Sequence, residues 1–275
     1  MSRQQFTDEF KAETVKRIRE SGRRGPRSIA SRAEGRPTSA AVAYVGVALG
    51  LVLLASSPCR AHDYWFESDG QDYLLFRGHR YSEHTGEKAV PYDPAIIRRA
   101  YCASPNGPVQ HVEPSAEYPA RIAVPCAVLV VQADSGYWSQ TLTGTKNQPK
   151  SQLFGVLRSW HALETIKLIN TWWDDLSRPL SDGLELVCQS DPLRLRTKQK
   201  LRLLVMQEGK PREGVTVAYD GDPRGVTGKD GRINLRIRHT GMQRVTASVD
   251  EPSPDDEADK VVRSTALFFE LPEVD

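Results

Sequence analysis

The charges of this chain leave no cationic surplus where one would matter. Lys and Arg number 37 against 35 Asp and Glu, a formal +2 over 275 residues, but eleven of the basic and five of the acidic residues fall within positions 1–61. The rest of the chain therefore holds 26 basic and 30 acidic residues, about −4 net. Nothing there neutralises a phosphate backbone, which excludes nucleic acid as a partner. Catalytic signatures are equally scarce. There is no G-x-S-x-G, no P-loop and no H-E-x-x-H, and the carboxylates are scattered, with no pair assignable to the two sides of a cleft. The expectation is a protein that is not an enzyme. Apolar runs are short: the longest, Ala40–Ala55, has sixteen residues, below the roughly twenty that cross a bilayer. Methionine is absent between Met1 and Met206, so a start later than Met1 needs a Val or Leu codon read as initiator. Cysteines number only four.

What is present begins with a leader. Arg27, Arg32 and Arg36 precede the apolar run, and Pro58-Cys59-Arg60-Ala61 follows it, with small residues at −3 and −1. Positive flank, apolar core and small-residue exit predict a secretory signal peptide over 36–61, cleaved after Ala61, and hence a periplasmic or secreted protein. The alternative is a retained N-terminal anchor. Residues 1–35 do not fit a signal peptide. Thr7 caps a short helical pattern with Asp8 and Glu9 in its first turn. F-T-D-E-F-K-A-E-T-V-K-R-I-R-E-S-G resembles the start of the small helix-turn-helix protein of insertion-sequence transposases. The likeness stops before a recognition helix, so this stretch is read as a remnant or a mis-assigned start and not as a DNA reader.

Beyond Ala61 the pattern is β. Tyr64–Glu67 and Tyr73–Phe76 alternate around Ser68-Asp69-Gly70, and Ala120–Val124 and Ala127–Gln132 are rich in Val and Ile. These predict a small β domain over 62–150. Ala95–Tyr101 fits a helical turn or a strand. Leu153–Trp173 changes period: Val156, Leu157, Trp160, Leu163, Lys167 and Leu168 predict one amphipathic helix, a connector over 151–180, with Trp172-Trp173 packing at the seam. Short strands with Gly turns resume from Leu184 to Leu271 and predict a β-sandwich over 181–275. Its G-K-P-x-x-G-V-x-V, T-G-K-D-G-R-I-x-L and H-T-G-x-x-x-V-x-A resemble the carboxypeptidase-regulatory-like and collagen-binding-B-type modules. The fold class is therefore mainly β: two sandwiches joined by one helix, behind a signal helix. Asp250–Asp259 reads as a solvated acidic loop. Cys59 leaves with the leader; Cys102 and Cys126 are placed to pair if the chain is exported, and Cys188 is left over.

Six histidines are present, and three gather at one end of the expected mature chain: His62, His79 and His84. Cleavage after Ala61 makes His62 an N-terminal histidine, offering an α-amine and an imidazole together. The amine's pKa of about 7.7 lets a metal displace its proton near neutral pH. His79 ends a strand, His84 follows in a loop, and Glu83 or Glu87 is placed to orient a ring nitrogen from behind. Such a set suits nickel, cobalt, copper or zinc. The bland alternative makes all three solvated. His111 reads as surface, His161 as packing or capping on the helix, and His239 as structural. Tyr64, Trp65, Tyr137 and Trp138 read as core aromatics, with a sugar-stacking platform as the alternative.

A-H-D-Y-W-F, R-G-H-R-Y-S-E-H-T-G-E-K, S-G-Y-W-S-Q-T with T-K-N-Q-P-K, L-E-L-V-C-Q-S-D-P and Q-E-G-K-P-R-E-G-V-T-V together resemble the exported DUF4198 proteins. These include the periplasmic component found with nickel and cobalt uptake transporters. The resemblance implies a metal-binding accessory protein serving a membrane metal transporter. Two other readings stay open: an adhesion module binding protein or glycan, and a copper enzyme built on an N-terminal histidine brace.

Overall fold

The computed structural model describes residues 63–80, 88–123 and 125–273; the transposase-like stretch and the leader lie outside them. Among the described residues there are sixteen strands: β1 (Asp63–Asp69), β2 (Asp72–Gly78), β3 (Ile97–Ala103), β4 (Gln110–His111), β5 (Ala120–Ile122), β6 (Val128–Thr141), β7 (Gly144–Lys146), β8 (Val156–Ile169), β9 (Glu185–Cys188), β10 (Lys200–Gln207), β11 (Lys210–Pro211), β12 (Thr216–Tyr219), β13 (Asp222–Val226), β14 (Arg232–Arg236), β15 (Gly241–Pro252) and β16 (Lys260–Leu271). Three 3-10 turns, at Pro94–Ile96, Lys150–Gln152 and Asp174–Ser177, complete the regular structure. No helix there is long and apolar enough to cross a membrane.

The strands form three sheets. A nine-stranded sheet runs β13-β12-β15-β16-β8-β6-β3-β4, with β7 beside β6. On one face lies the three-stranded sheet β1-β2-β5, and on the other the four strands β9, β10, β11 and β14. Two cores result. Tyr64, Trp65, Leu75 and Tyr92 pack on Leu129, Val131, Ile166, Leu168 and Phe268. Leu186, Leu201, Leu203 and Val205 pack on Val128, Val130, Ile169, Val217, Leu267 and Phe269. The mainly β class is as expected. Both packings share the nine-stranded sheet, however, and a boundary at residue 150 falls between β6 and β8, which are paired over nearly their whole length.

The expected connector helix is a strand. β8 runs antiparallel to β6 and parallel to β16, at the centre of the large sheet. Its last five residues, Thr165–Ile169, are buried throughout, because both faces of the sheet are covered there. A strand covered on both sides loses its period-two signal and reads as a continuous apolar run. The apolar spacing of Val156, Leu157, Trp160 and Leu163 then mimics a helical face by accident. The β-branched Val156, Thr165, Ile166 and Ile169 favour the extended chain. Asp250–Asp259 is also not simply solvated: Asp259 accepts from the Ser159 N–H at 2.7 Å and from Lys150 Nζ at 2.9 Å, and the Tyr137 hydroxyl donates to Asp255 at 2.9 Å. Ala95–Tyr101 combines both expectations, a 3-10 turn capped by Asp93 running into β3.

Cys102 and Cys126 form a disulfide, with Cα atoms 5.3 Å apart. Cys188 is a buried free thiol.

Candidate functional site

The hairpin register sets the geometry. Asp63 faces Gly78, and Asp69 faces Asp72 across the Gly70 turn. His79 is thus the next residue along β2 at the end where β1 begins. Gly78 has φ +152°, and a Cβ on it would lie 2.1 Å from the Lys88 carbonyl oxygen. Only glycine admits a returning backbone this close. The returning segment is held on both sides: the His79 N–H donates to Lys88 O at 2.6 Å, and the Val90 N–H donates to Arg77 O at 2.7 Å. The backbone at 77–79 is therefore tied to the backbone at 88–90. His62, Glu83, His84 and Glu87 lie outside the described residues, so His79 is the one member of the expected metal set whose position is on view. Among the described residues no group of three or more His, Cys, Asp and Glu is arranged to hold a metal ion.

Asp63 is pinned where the described hairpin begins. Its Oδ2 lies 3.1 Å from Nη1 of Arg244, a β15 side chain that is almost wholly buried. Burial raises the Asp63 pKa, while the Arg244 guanidinium and, less strongly, His79 oppose the rise. Next to it, Tyr64 hydroxyl and Ser135 Oγ are 3.1 Å apart, and Ser135 Oγ donates to Glu164 Oε2 at 2.6 Å. Burial pushes the Glu164 carboxyl up to about 7 against the pull of Ser135 and Arg77, and it raises the Tyr64 phenol as well. Arg77 lies over the rings of Tyr64 and Trp138, 5.9 and 5.3 Å from their centroids. Beside Asp63, Tyr64 and Glu164 is a cavity of about 220 Å³, walled by hydroxyls that include Thr216, Ser248 and Ser264. Ser135 is buried and hydrogen-bonded to the Glu164 carboxylate and to the Tyr64 phenol.

A family model described as a domain of unknown function, DUF4198, matches residues 60–251, 192 of the 275 positions. The chain belongs to the DUF4198 family. No curated protein and no solved structure matches. The DUF4198 match opens beside the hairpin and takes in the disulfide and every strand through β14.

The other sequence expectations divide cleanly. Tyr64 and Trp65 are core: Trp65 stacks on Phe76 at 5.7 Å, and both are at most 4% exposed. Tyr137 and Trp138 are half-buried in the sheet. His111 is on the surface, 3.1 Å from Glu113. His161 packs, but from a strand: its Nε2 is 2.7 Å from Asp134 and its ring stacks on Tyr137 at 4.4 Å. His239 stacks on Tyr219 and lies 2.9 Å from Asp220. The sequence reading missed Arg244, Glu164 and the buried pair Lys167–Glu185, 2.7 Å apart. Lys167 carries a signal, a lone cation between Ile166 and Leu168-Ile169, but only once the segment is read as a buried strand.

Proposed function

We propose that this DUF4198 protein is an exported, non-catalytic accessory protein that binds a divalent transition metal at the open end of its first hairpin and passes it to a membrane transporter. The observation that carries the reading is the placement of His79 at the hairpin end where Asp63 begins the ladder. Chain connectivity does the rest. His62 is covalently joined to Asp63, its Cα about 3.8 Å away. His84 is four residues from Lys88, whose carbonyl accepts from the His79 N–H, so the tether alone keeps it within about 14 Å of that point. Three imidazoles and a free α-amine within such reach form a nitrogen-rich donor set, which favours nickel, cobalt, copper or zinc over magnesium or calcium. Asp63 is engaged by Arg244 and serves to fix the strand, leaving coordination to the nitrogens. The disulfide supports export, since such bonds persist in oxidising compartments; nickel and cobalt are favoured by the family likeness.

The test is equilibrium dialysis of the processed protein, its N-terminus established by mass spectrometry, against nickel, cobalt, copper and zinc. One metal should bind with Kd well below about 1 mM, about −4 kcal/mol. His79→Ala, or one extra residue before His62, should weaken it at least tenfold. Absence of submillimolar binding by all four metals, or binding indifferent to both changes, overturns the reading.

A further inference from the structure

Where β8 leaves the large sheet the chain reads Asn170-Thr171-Trp172-Trp173-Asp174, and after β9 it returns through Gln189-Ser190-Asp191. Between these segments is an open groove of about 640 Å³, within the range of about 300–1,000 Å³ typical of small-ligand sites. Trp172 and Trp173 both line it. Each is half-buried and rests against the core between the nine- and four-stranded sheets, so the indoles are held and not free to fold away. The backbone at Trp173 is extended, φ −149° and ψ 163°. Successive side chains on such a backbone leave in opposite directions, and the two rings wall the groove instead of covering one another.

The rest of the lining is polar and partly pre-set. Asp191 accepts the Leu193 N–H at 2.9 Å through Oδ1 and holds Arg194 Nε at 3.2 Å through Oδ2. Gln189 Nε2 donates to the Ser177 carbonyl at 3.4 Å. Asp174 is exposed on the rim. Aromatic walls with amide, carboxylate and guanidinium groups at their edges match a ligand with an apolar face and a hydroxyl-bearing perimeter. Two carboxylates face one guanidinium, already paired, so an anionic ligand is repelled.

We infer that this groove binds a neutral carbohydrate, a pyranose face lying on an indole and its hydroxyls meeting Asp174, Gln189 and Asp191. The site shares no residue with the histidine set and stands whether or not a metal binds there.

The experiment titrates the processed, disulfide-intact protein with cellotetraose, maltotetraose and chitotetraose, and separately with tetramethylammonium, following heat by calorimetry and the five indole N–H resonances by NMR. At least one saccharide should bind with Kd below about 1 mM and shift two indole signals, assigned by Trp172→Phe and Trp173→Phe. Trp172→Ala or Trp173→Ala should weaken binding about tenfold or more, the loss expected of a buried aromatic anchor. Since those indoles also pack on the core, Asp174→Ala at its exposed position gives a readout with packing intact, and Gln189→Ala, which also gives up the bond to Ser177, a further one; each should weaken binding severalfold. His79→Ala should leave it unchanged. No saccharide binding at 10 mM sugar, or affinity unmoved by Asp174→Ala and Gln189→Ala together, overturns the proposal. Tetramethylammonium shifting the same indoles while the sugars do not also overturns it, reassigning the groove to organic cations.

Discussion

Lys167 and Glu185 make the sharpest stability prediction, because almost nothing screens them. Nζ and Oε1 are 2.7 Å apart, with side chains 2% and 0% exposed. The pair spans β8 in the large sheet and β9 in the four-stranded one. Glu185 has further duties: it accepts from the N–H groups of Leu180 and Ser181 and from the Ser181 hydroxyl, at 3.1, 2.8 and 2.7 Å. It therefore anchors the segment that follows β8. Lys167→Met removes the cation and leaves a buried anion with three neutral donors. Breaking one side of a buried pair costs about 3–5 kcal/mol; for a folded part near 200 residues this is a fall in Tm of roughly 6–20 °C. Adding Glu185→Gln removes the stranded charge while keeping an amide oxygen for Leu180 and Ser181, so the double variant should recover at least half of the loss. Replacing Glu185 by Leu in place of Gln should not, because two buried backbone donors then go unmet at about 1–3 kcal/mol each. Urea unfolding of the wild type, Lys167→Met, Glu185→Gln and their double variant, with the disulfide intact, yields the double-mutant cycle, and the Leu double variant is measured beside them. A Lys167→Met cost under about 1 kcal/mol, or a Gln double variant as unstable as the sum of the singles, would refute the reasoning.

Three other expectations are independent of that pair. Glu164, pushed up to about 7 by burial, binds its proton more tightly folded than unfolded, so its stabilising share is full below about pH 4.5 and is lost as pH rises toward 7. Glu164→Gln should flatten that slope and add up to about 3 kcal/mol at pH 8, measured by urea unfolding from pH 4 to 8. His239 is also raised, first by its hydrogen bond to the Thr240 carbonyl and then by Asp220; its share is present below about pH 6.5 and fades as pH climbs through the raised value. Asp220→Asn should bring the His239 titration in NMR back toward 6.5. Cys102→Ala with Cys126→Ala frees a loop whose ends are 24 positions apart, worth about 3–4 kcal/mol, and thermal melts should show the loss without change in the far-UV spectrum at 20 °C.

How far the sequence could be read depended on what each segment packs against. The first hairpin was legible because Tyr64–Glu67 and Tyr73–Phe76 flank a turn in which Gly70 takes φ +66°, chemistry local to a few residues. β12, with its Val217 and Tyr219 buried and Thr216 exposed, keeps its alternation and falls within the run of short strands expected from Leu184 to Leu271. β8 was not legible, since its environment is supplied by β6 and by β16, which lies about a hundred residues later. The same distance hides Arg244: nothing in Gln243-Arg244-Val245 announces a partner at Asp63. The pairing of Cys102 with Cys126 was open to the sequence only as a possibility that export would allow, since Cys188 competes for either thiol until the fold buries it. Of the histidine set, only His79 falls among the described residues, and the sequence placed it correctly at a strand end beside Gly78.

The Asp63–Arg244 contact gives the functional proposal its mechanical sense. Three strands of β1-β2-β5 could rest on the large sheet by apolar burial alone, since Tyr64, Leu75 and Phe268 already supply it. Apolar burial already specifies the register, since a one-residue slip of β1 against β2 would turn every side chain to the opposite face. A carboxylate held at 3.1 Å by a nearly buried guanidinium adds to it: slippage would pull this charge pair apart, which is costly for partly buried ions. The charge pair therefore favours one register at the hairpin's open end, although burial itself works against the ionised Asp63. Gly78 sets the same end from the other side, admitting Lys88 at a distance no side chain permits. Two separate devices thus fix the relative positions of the residue after His62 and the residue before His79. Under the proposed function, a ligand set drawn from both strands requires that placement.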